Sequence, residues 1–153
     1  MDRLDDRIDR TIELAAPLDR VWRALVTPSE IAAWFRVGIE GPLTLGNEVW
    51  MTWAEPNQPP KRFRIRVVEM DAPRRFAWEW HPGEIDSAID YSREPRTRVT
   101  FTLEATPGGT RLTLSETGFT AVSLARRAKV FKDNSQGWTE VLTWFKDHVE
   151  KAH

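Results

Sequence analysis

The stretch Arg111-Leu-Thr-Leu-Ser-Glu-Thr117 decides how this chain folds. Successive side chains of a β-strand point to opposite faces of the sheet, so Leu112, Leu114 and Glu116 share one face. The two leucines make that face apolar, and Glu116 adds a carboxylate at its edge. Gly118 then breaks the strand, and the apolar repeat becomes helical. The stretch therefore predicts the last strand of a sheet whose apolar face needs a cover.

The C-terminal segment has the repeat of one long amphipathic helix, from about 122 to 150. Its apolar residues form a wide stripe at three- and four-residue intervals, made of Trp138, Val141, Leu142, Phe145 and Val149. Steps of seven back from Trp138 reach Phe131 and Leu124, which lengthens the stripe. Gly137 is a weak point in a helix, so a bend over 134–137 is the alternative.

The middle of the chain alternates between apolar and polar residues, as antiparallel strands do. We predict five strands here, over residues 48–54, 61–70, 75–80, 98–105 and 110–117. In the second of them Phe63, Ile65 and Val67 alternate with arginines, which is typical of a sheet with one face in water. Residues 81–95 form a long polar connection, for which a disordered hairpin tip and an ordered lid are the two interpretations.

The inward face of the strand over 48–54 is not decided by alternation. Val49, Met51 and Trp53 share one face, and Trp50 lies on the other. Large apolar side chains therefore occur on both faces, and both assignments stay open.

The N-terminal part predicts one strand and two short helices. The strand covers 9–14, and Pro17 begins a helix, since proline is well suited to a first helical turn. The segment from Thr27 to Glu30 has the spacing of a capping box, with Thr27 as the N-cap of the second helix. Only the C-terminal helix is long enough to cover the sheet. The order of elements therefore predicts an α+β helix-grip fold, in which a curved antiparallel sheet wraps around that helix.

Composition limits the classes of function. The 153 residues fit one domain, over 1–153, with 41% hydrophobic and 29% charged residues. The net charge of -1 gives no general attraction to nucleic acid or to anionic membranes. No apolar run approaches the roughly 20 residues that span a bilayer, so we expect no membrane insertion. No secretory signal is visible, and we expect a cytoplasmic protein.

Candidates for catalysis are few. The sequence has no cysteine, which excludes disulfides, thiolate metal sites and a cysteine nucleophile. The histidines and glutamates have no metal-ligand spacing and no phosphate-binding loop is present, so we expect neither a metal nor a cofactor. Glu116 and His81 are the visible acid–base candidates. An enzyme of the cyclase or hydrolase type is therefore one alternative.

Eight tryptophans give this chain an unusual amount of large, rigid apolar surface. Phe76, Trp78 and Trp80 share one face of a strand, and an aromatic wall with an acid at its edge suits a binding pocket. We predict a cavity between the sheet and the C-terminal helix. Its predicted ligand-binding residues are Trp34, Phe35, Met51, Trp53, Phe63, Trp78, Trp80, Phe101, Glu116, Phe119, Trp138 and Leu142. Glu116 either fixes the polar end of a ligand, as a tryptophan indole could, or ends a strand in water.

The first third of the chain resembles a known superfamily. The segment from Ile12 to Pro17, then Val21-Trp22 and Thr27-Pro28 before Trp34-Phe35, looks like the start of SRPBCC (START-like) domains. More narrowly, it resembles the C-terminal-domain homologues of the activator of the heat-shock protein 90 ATPase.

Later segments extend the resemblance over almost the whole chain. The residues from Val67 to Phe76, leading to Trp78-Glu79-Trp80, are similar to the central strand pair of that family. The segment from Thr113 to Phe119, followed by Gly137-Trp138 and Leu142, resembles its ending. The order and spacing of these segments carry the resemblance, because each segment alone is weakly specific.

The resemblance implies a helix-grip fold and an internal cavity, but not one activity. The superfamily includes lipid and steroid carriers, plant hormone receptors, polyketide cyclases and co-chaperone domains. We expect the cavity to bind a small apolar or amphipathic ligand, as in lipid binding. The alternative is a chaperone-related or regulatory module, linked to the stress response, with a protein partner. We expect this chain to lack the separate N-terminal domain of the eukaryotic co-chaperone.

Overall fold

A computed structural model of the chain describes residues 7–54, 56–82 and 94–151. In these ranges the strands are β1 Arg7–Leu14, β2 Gly38–Glu40, β3 Glu48–Trp53, β4 Lys61–Asp71, β5 Arg75–Trp80, β6 Thr97–Thr106 and β7 Gly109–Thr117. The α-helices are α1 Leu18–Val26, α2 Pro28–Trp34 and α3 Leu124–Lys151, and a short 3-10 helix covers Phe119–Ala121. The predicted α+β helix-grip fold is confirmed.

The strands form one antiparallel sheet in the order β1-β7-β6-β5-β4-β3-β2. The first strand lies at an edge beside the last, with Ile8 opposite Glu116. At the other end of this pair the chain approaches itself closely, because a Cβ on Gly109 would lie 2.1 Å from the carbonyl oxygen of Leu14. Gly118 ends β7 with φ +100, a left-handed conformation that glycine adopts without strain.

Alternation along the strands selects the core. Phe63, Ile65 and Val67 of β4 are buried, while the alternate residues Arg62 and Arg66 are exposed and Arg64 is half-buried. Each such apolar side chain contributes about 1.5–3 kcal/mol by leaving water. The prediction of a sheet with one face in water therefore holds for this strand.

The undecided face of β3 is settled in favour of the first assignment. Val49 and Met51 are buried in the core. Trp50 lies on the outer face, where the guanidinium groups of Arg62 and Arg64 stand 4.3 and 5.0 Å from its ring centroid. Alternation would also bury Trp53, but the strand ends there and its side chain is 40% exposed.

The prediction of one long C-terminal helix is confirmed, and α3 continues without interruption through Gly137. The residues that it buries are Val130, Trp138, Val141, Leu142, Phe145 and Val149. Phe131, which is partly buried, packs edge-on against Phe119 of the 3-10 helix at 5.1 Å. No α-helix in the described ranges is long and apolar enough to cross a membrane.

Thr27 is the N-cap of the second helix, as predicted, but the capping box itself does not form. Thr27 does precede α2 in an extended conformation, but its side chain makes no capping hydrogen bond. Glu30, the other half of the predicted box, instead accepts a hydrogen bond of 2.6 Å from Arg20 of α1. The same carboxylate lies 2.8 Å from Nε2 of His148 near the end of α3. Glu30 thus joins three helices rather than capping one.

Two further differences concern the middle of the chain. The short strand β2 was not predicted, since three residues beginning with Gly38 are too few to show an alternation. Most of the polar connection predicted over 81–95 lies outside the described residues, which resume at position 94.

Candidate ligand-binding site

A cavity of about 270 Å³ lies between the sheet and α3, at the end of the sheet where β5 finishes. Its size is close to the lower end of the range for ligand pockets, about 300–1,000 Å³. The residues that line it are Phe35, Trp53, Phe63, Trp80, His81, Asp133, Asn134, Gly137, Trp138 and Val141. Both the sheet and the C-terminal helix therefore contribute to its wall.

Larger depressions elsewhere on the surface differ in chemistry. One of about 760 Å³ beside the start of α1 is lined in large part by Asp19, Arg20, Arg23 and Lys151. Charged side chains of this kind stay hydrated, and none of the residues that line this depression is aromatic. The aromatic cavity is the stronger candidate, although it is smaller.

The aromatic rings of the wall pack against one another. Phe35 stacks on Trp138 with centroids 6.1 Å apart and an interplanar angle of 10°. Trp80 stacks on Trp138 at 5.9 Å, and the edge of Phe63 meets Trp80 at 5.8 Å. These separations are those of favourable aromatic pairs. A ligand would therefore meet a wall that is already formed.

Glu116 lies directly behind this wall and is completely buried. Its Oε2 accepts hydrogen bonds from Nε1 of Trp80 at 2.8 Å and from Oγ1 of Thr97 at 2.5 Å. Its Oε1 accepts a hydrogen bond of 2.8 Å from Nε1 of Trp138. The amide nitrogen of Asn134 lies 3.1 Å from both oxygens. One carboxylate thus binds β5, β6 and α3 together.

The donors around Glu116 occupy the acceptor positions of the carboxylate, which has about four. All of them are neutral, and the two indole N–H groups and the amide nitrogen of Asn134 can only donate. They therefore match the deprotonated carboxylate. Burial opposes that form: it raises the pKa of Glu116, and the hydrogen bonds from Thr97, Trp80, Trp138 and Asn134 lower it only in part.

The structure divides the predicted ligand-binding residues into three groups. Those that line the cavity are Phe35, Trp53, Phe63, Trp80 and Trp138. Glu116 lies behind the wall, bonded to two of these tryptophans. Those buried in the core, outside the cavity lining, are Trp34, Met51, Trp78, Phe101, Phe119 and Leu142. The second interpretation of Glu116, a strand end in water, is wrong.

Five residues of the lining are not among the predicted ligand-binding residues, namely His81, Asp133, Asn134, Gly137 and Val141. Helical spacing could have found two of them, because Asn134 precedes Trp138 by one turn and Val141 follows it by three residues. A search for apolar stripes overlooks the polar Asn134. His81 was considered as an acid–base candidate, and it is buried in the wall.

The described residues also bear on metal binding. Nowhere in the described ranges do three or more histidine, aspartate or glutamate side chains come together as a metal site would need. Of the two acid–base candidates, His81 lines the cavity, while the oxygens of Glu116 face the donors behind it.

Comparison with known proteins gives a family and a fold. Residues 15–150 match the sequence profile of the family described as "Activator of Hsp90 ATPase homolog 1-like protein". A solved structure from Arthrobacter aurescens is 17% identical, with a TM-score of 0.81 over 99% of this chain and 90% of that one. One from Nitrosomonas europaea is 19% identical, with a TM-score of 0.77 over 99% and 98%. One from Mesorhizobium loti is 20% identical, with a TM-score of 0.75 over 96% and 98%. At these identities the likeness concerns the fold, and no curated protein sequence matches significantly.

Proposed function

The chain belongs to the family of Activator of Hsp90 ATPase homolog 1-like proteins, and we propose that it binds a small, largely apolar or amphipathic molecule in the cavity between the sheet and α3. The observation that carries this proposal is the bonding of the two wall tryptophans. Trp80 and Trp138 both direct their indole N–H groups to Glu116, away from the cavity. Their ring faces are therefore what a ligand meets.

This bonding defines the chemistry of recognition. A wall whose polar atoms are satisfied internally attracts apolar surface, because the ligand and the rings leave water together. Polar side chains also occur in the lining, at His81 and Asp133. We place a polar end of the ligand there rather than at Glu116, whose acceptor positions are already occupied. This arrangement of apolar walls with a few polar groups is that of small-molecule sites in general.

A fluorescent probe tests the proposal directly. N-phenyl-1-naphthylamine is neutral and apolar, and its emission rises when it leaves water. We expect saturable binding to the wild-type protein and at least about tenfold weaker binding to Trp80→Ala, since that change removes a ring from the wall. Trp50→Ala is the matched control, because Trp50 lies on the outer face of the sheet. The proposal fails if the wild-type protein does not bind the probe, or if both variants bind it equally.

A second candidate function is docking to a protein partner through the outer face of the sheet. The observation in its favour is the group formed by Trp50, Arg62 and Arg64, in which two guanidinium groups lie against one indole. Tryptophan and arginine are the residue types that contribute most at protein interfaces. The family description suggests a chaperone ATPase as the partner. If so, Trp50→Ala should abolish any stimulation of an Hsp90-class ATPase, and Trp80→Ala should preserve it.

A further inference from the structure

Gly137 occupies an unusual place, in the middle of the 28-residue helix α3 and in the wall of the cavity. Glycine destabilises a helix interior, because it loses more backbone freedom on folding than other residues do. A glycine retained there normally has a structural reason, such as close packing against a neighbouring element.

The two usual structural reasons for a glycine are a left-handed backbone conformation and close packing, and neither applies to Gly137. Its backbone is helical, so no left-handed conformation requires glycine. A Cβ built on it would meet no heavy atom of the described residues within 4 Å, the adjacent residues and the nearby helix backbone aside. Alanine would therefore fit the fold without a clash. Because Gly137 itself lines the cavity, we assign the open space beside it to that cavity.

The surroundings of Gly137 indicate what uses that space. The next residue, Trp138, is held by its hydrogen bond to Glu116 and stacks on both Phe35 and Trp80. The missing side chain thus leaves a strip of bare helix backbone beside a set of fixed, flat rings. A planar ligand needs such a surface, because one methyl group would hold its whole plane away. A flexible chain could bend around the same methyl group.

We infer that Gly137 determines specificity: it keeps the helix wall bare so that a flat ring system, aromatic or fused, can lie against α3 and the aromatic rings of the sheet. This inference rests on the proposed function and names the ligand class within it. It also gives Gly137 opposite effects on folding and on binding. Alanine at this position stabilises the helix and lowers the affinity for the ligand.

The experiment measures stability and binding on the same variants. In Gly137→Ala, we expect the Tm to rise by about 2–4 °C, because the helix gains a better helix former. We expect its affinity for N-phenyl-1-naphthylamine to fall about tenfold or more, since one added methylene has that effect in a fitted pocket. Gly137→Leu, which fills more of the cavity, should bind more weakly still. Gln136→Ala is the control, because Gln136 is exposed and does not line the cavity.

A flexible ligand tests the ligand class. 1-Decanol, measured by displacement of the fluorescent probe, should lose much less affinity than the probe does in Gly137→Ala. An equal loss for both would overturn the preference for flat rings.

The remaining outcomes separate this inference from the proposed function. In one outcome the wild-type protein binds the probe, Trp80→Ala weakens that binding and Gly137→Ala leaves it unchanged. The role inferred for Gly137 is then wrong, while the proposed function stands. A lower Tm for Gly137→Ala would show that packing requires the glycine, and would also overturn the inference. Absence of probe binding to the wild-type protein would overturn both.

Discussion

The indole nitrogen of Trp138 lies 2.8 Å from Oε1 of Glu116, so the C-terminal helix is hydrogen-bonded to the last strand of the sheet inside the protein. Apolar packing alone would let a helix slide on a sheet, whereas a buried hydrogen bond has a direction and a fixed length. Trp80 binds the other oxygen of the same carboxylate. Glu116 therefore sets the distance between the two walls of the cavity.

Glu116→Gln should break one of the two indole hydrogen bonds. The glutamine amide has one oxygen that accepts and one nitrogen that donates, so it cannot accept from Trp80 and Trp138 on opposite sides. The indole that loses its partner should destabilise the protein by about 1–3 kcal/mol, less whatever is regained by removing a buried charge. Indole ¹H–¹⁵N correlation spectra should show large shifts for these two tryptophans. Unchanged shifts at both would contradict the arrangement, and Glu104→Gln on the surface is the control.

Glu116 should also make stability depend on pH. Burial raises the pKa of Glu116 in the folded protein above its usual 4.5. Between the two pKa values the folded state binds more protons than the unfolded state, so the free energy of unfolding falls as pH rises from about 4.5. Glu116→Gln lacks this group. We would measure the free energy of unfolding of both proteins in urea at a series of pH values. The value for the wild type minus that for the variant should decrease as pH increases. A constant difference would show that the pKa is not raised.

Glu30 should have the opposite pH dependence. Burial by itself would raise the pKa of Glu30, but hydrogen bonds from His148 and Arg20 outweigh it and hold the pKa below 4.5. A lowered pKa contributes stability that is present above 4.5 and is lost as pH falls through the folded-state value. Glu30→Gln should lower the free energy of unfolding at pH 7 by about 1–2 kcal/mol and reduce its loss in acid. Glu13→Gln, at a more exposed ion pair with Arg111, should do much less. Equal effects of the two variants would contradict a special role for Glu30.

Sequence patterns predicted the fold because they report which face of an element is apolar. Phe63, Ile65 and Val67 are separated by arginines, and this alternation leaves one arrangement of the strand on the core. The stripe that contains Trp138 and Phe145 likewise orients α3. The capping box at Thr27 did not form, because Glu30 makes its contacts with residues of other helices. The partner of Glu30 on α3, His148, lies 118 positions away, and no local pattern shows such a contact.

The site was predictable in kind but not in detail. Alternation placed Trp78 and Trp80 on the same face, but it does not show how deeply each side chain is buried. Trp80, near the end of the sheet, lines the cavity, and Trp78 lies behind it in the core. The polar partners of Glu116 were invisible to a search for apolar repeats, because Thr97 and Asn134 lie 19 and 18 positions away in the sequence.

Trp78 and Trp138 offer a matched test of the hydrogen bond between Trp138 and Glu116. Both side chains are buried, and both lie within the aromatic cluster around Phe101. The indole N–H of Trp138 binds Glu116, whereas that of Trp78 has no hydrogen-bond partner among the described residues. Replacement by phenylalanine removes the same atoms from each, so the loss of packing is similar.

The variants should nevertheless differ in stability. Trp138→Phe also leaves an acceptor oxygen of buried Glu116 without its indole donor, and an unsatisfied buried polar group costs about 1–3 kcal/mol. Trp78→Phe removes a donor that is not used, which costs nothing beyond packing. We therefore expect Trp138→Phe to be the less stable variant by about that amount in urea unfolding at pH 7. If Trp78→Phe destabilises the protein as much as Trp138→Phe, Glu116 does not hold the helix to the sheet through Trp138.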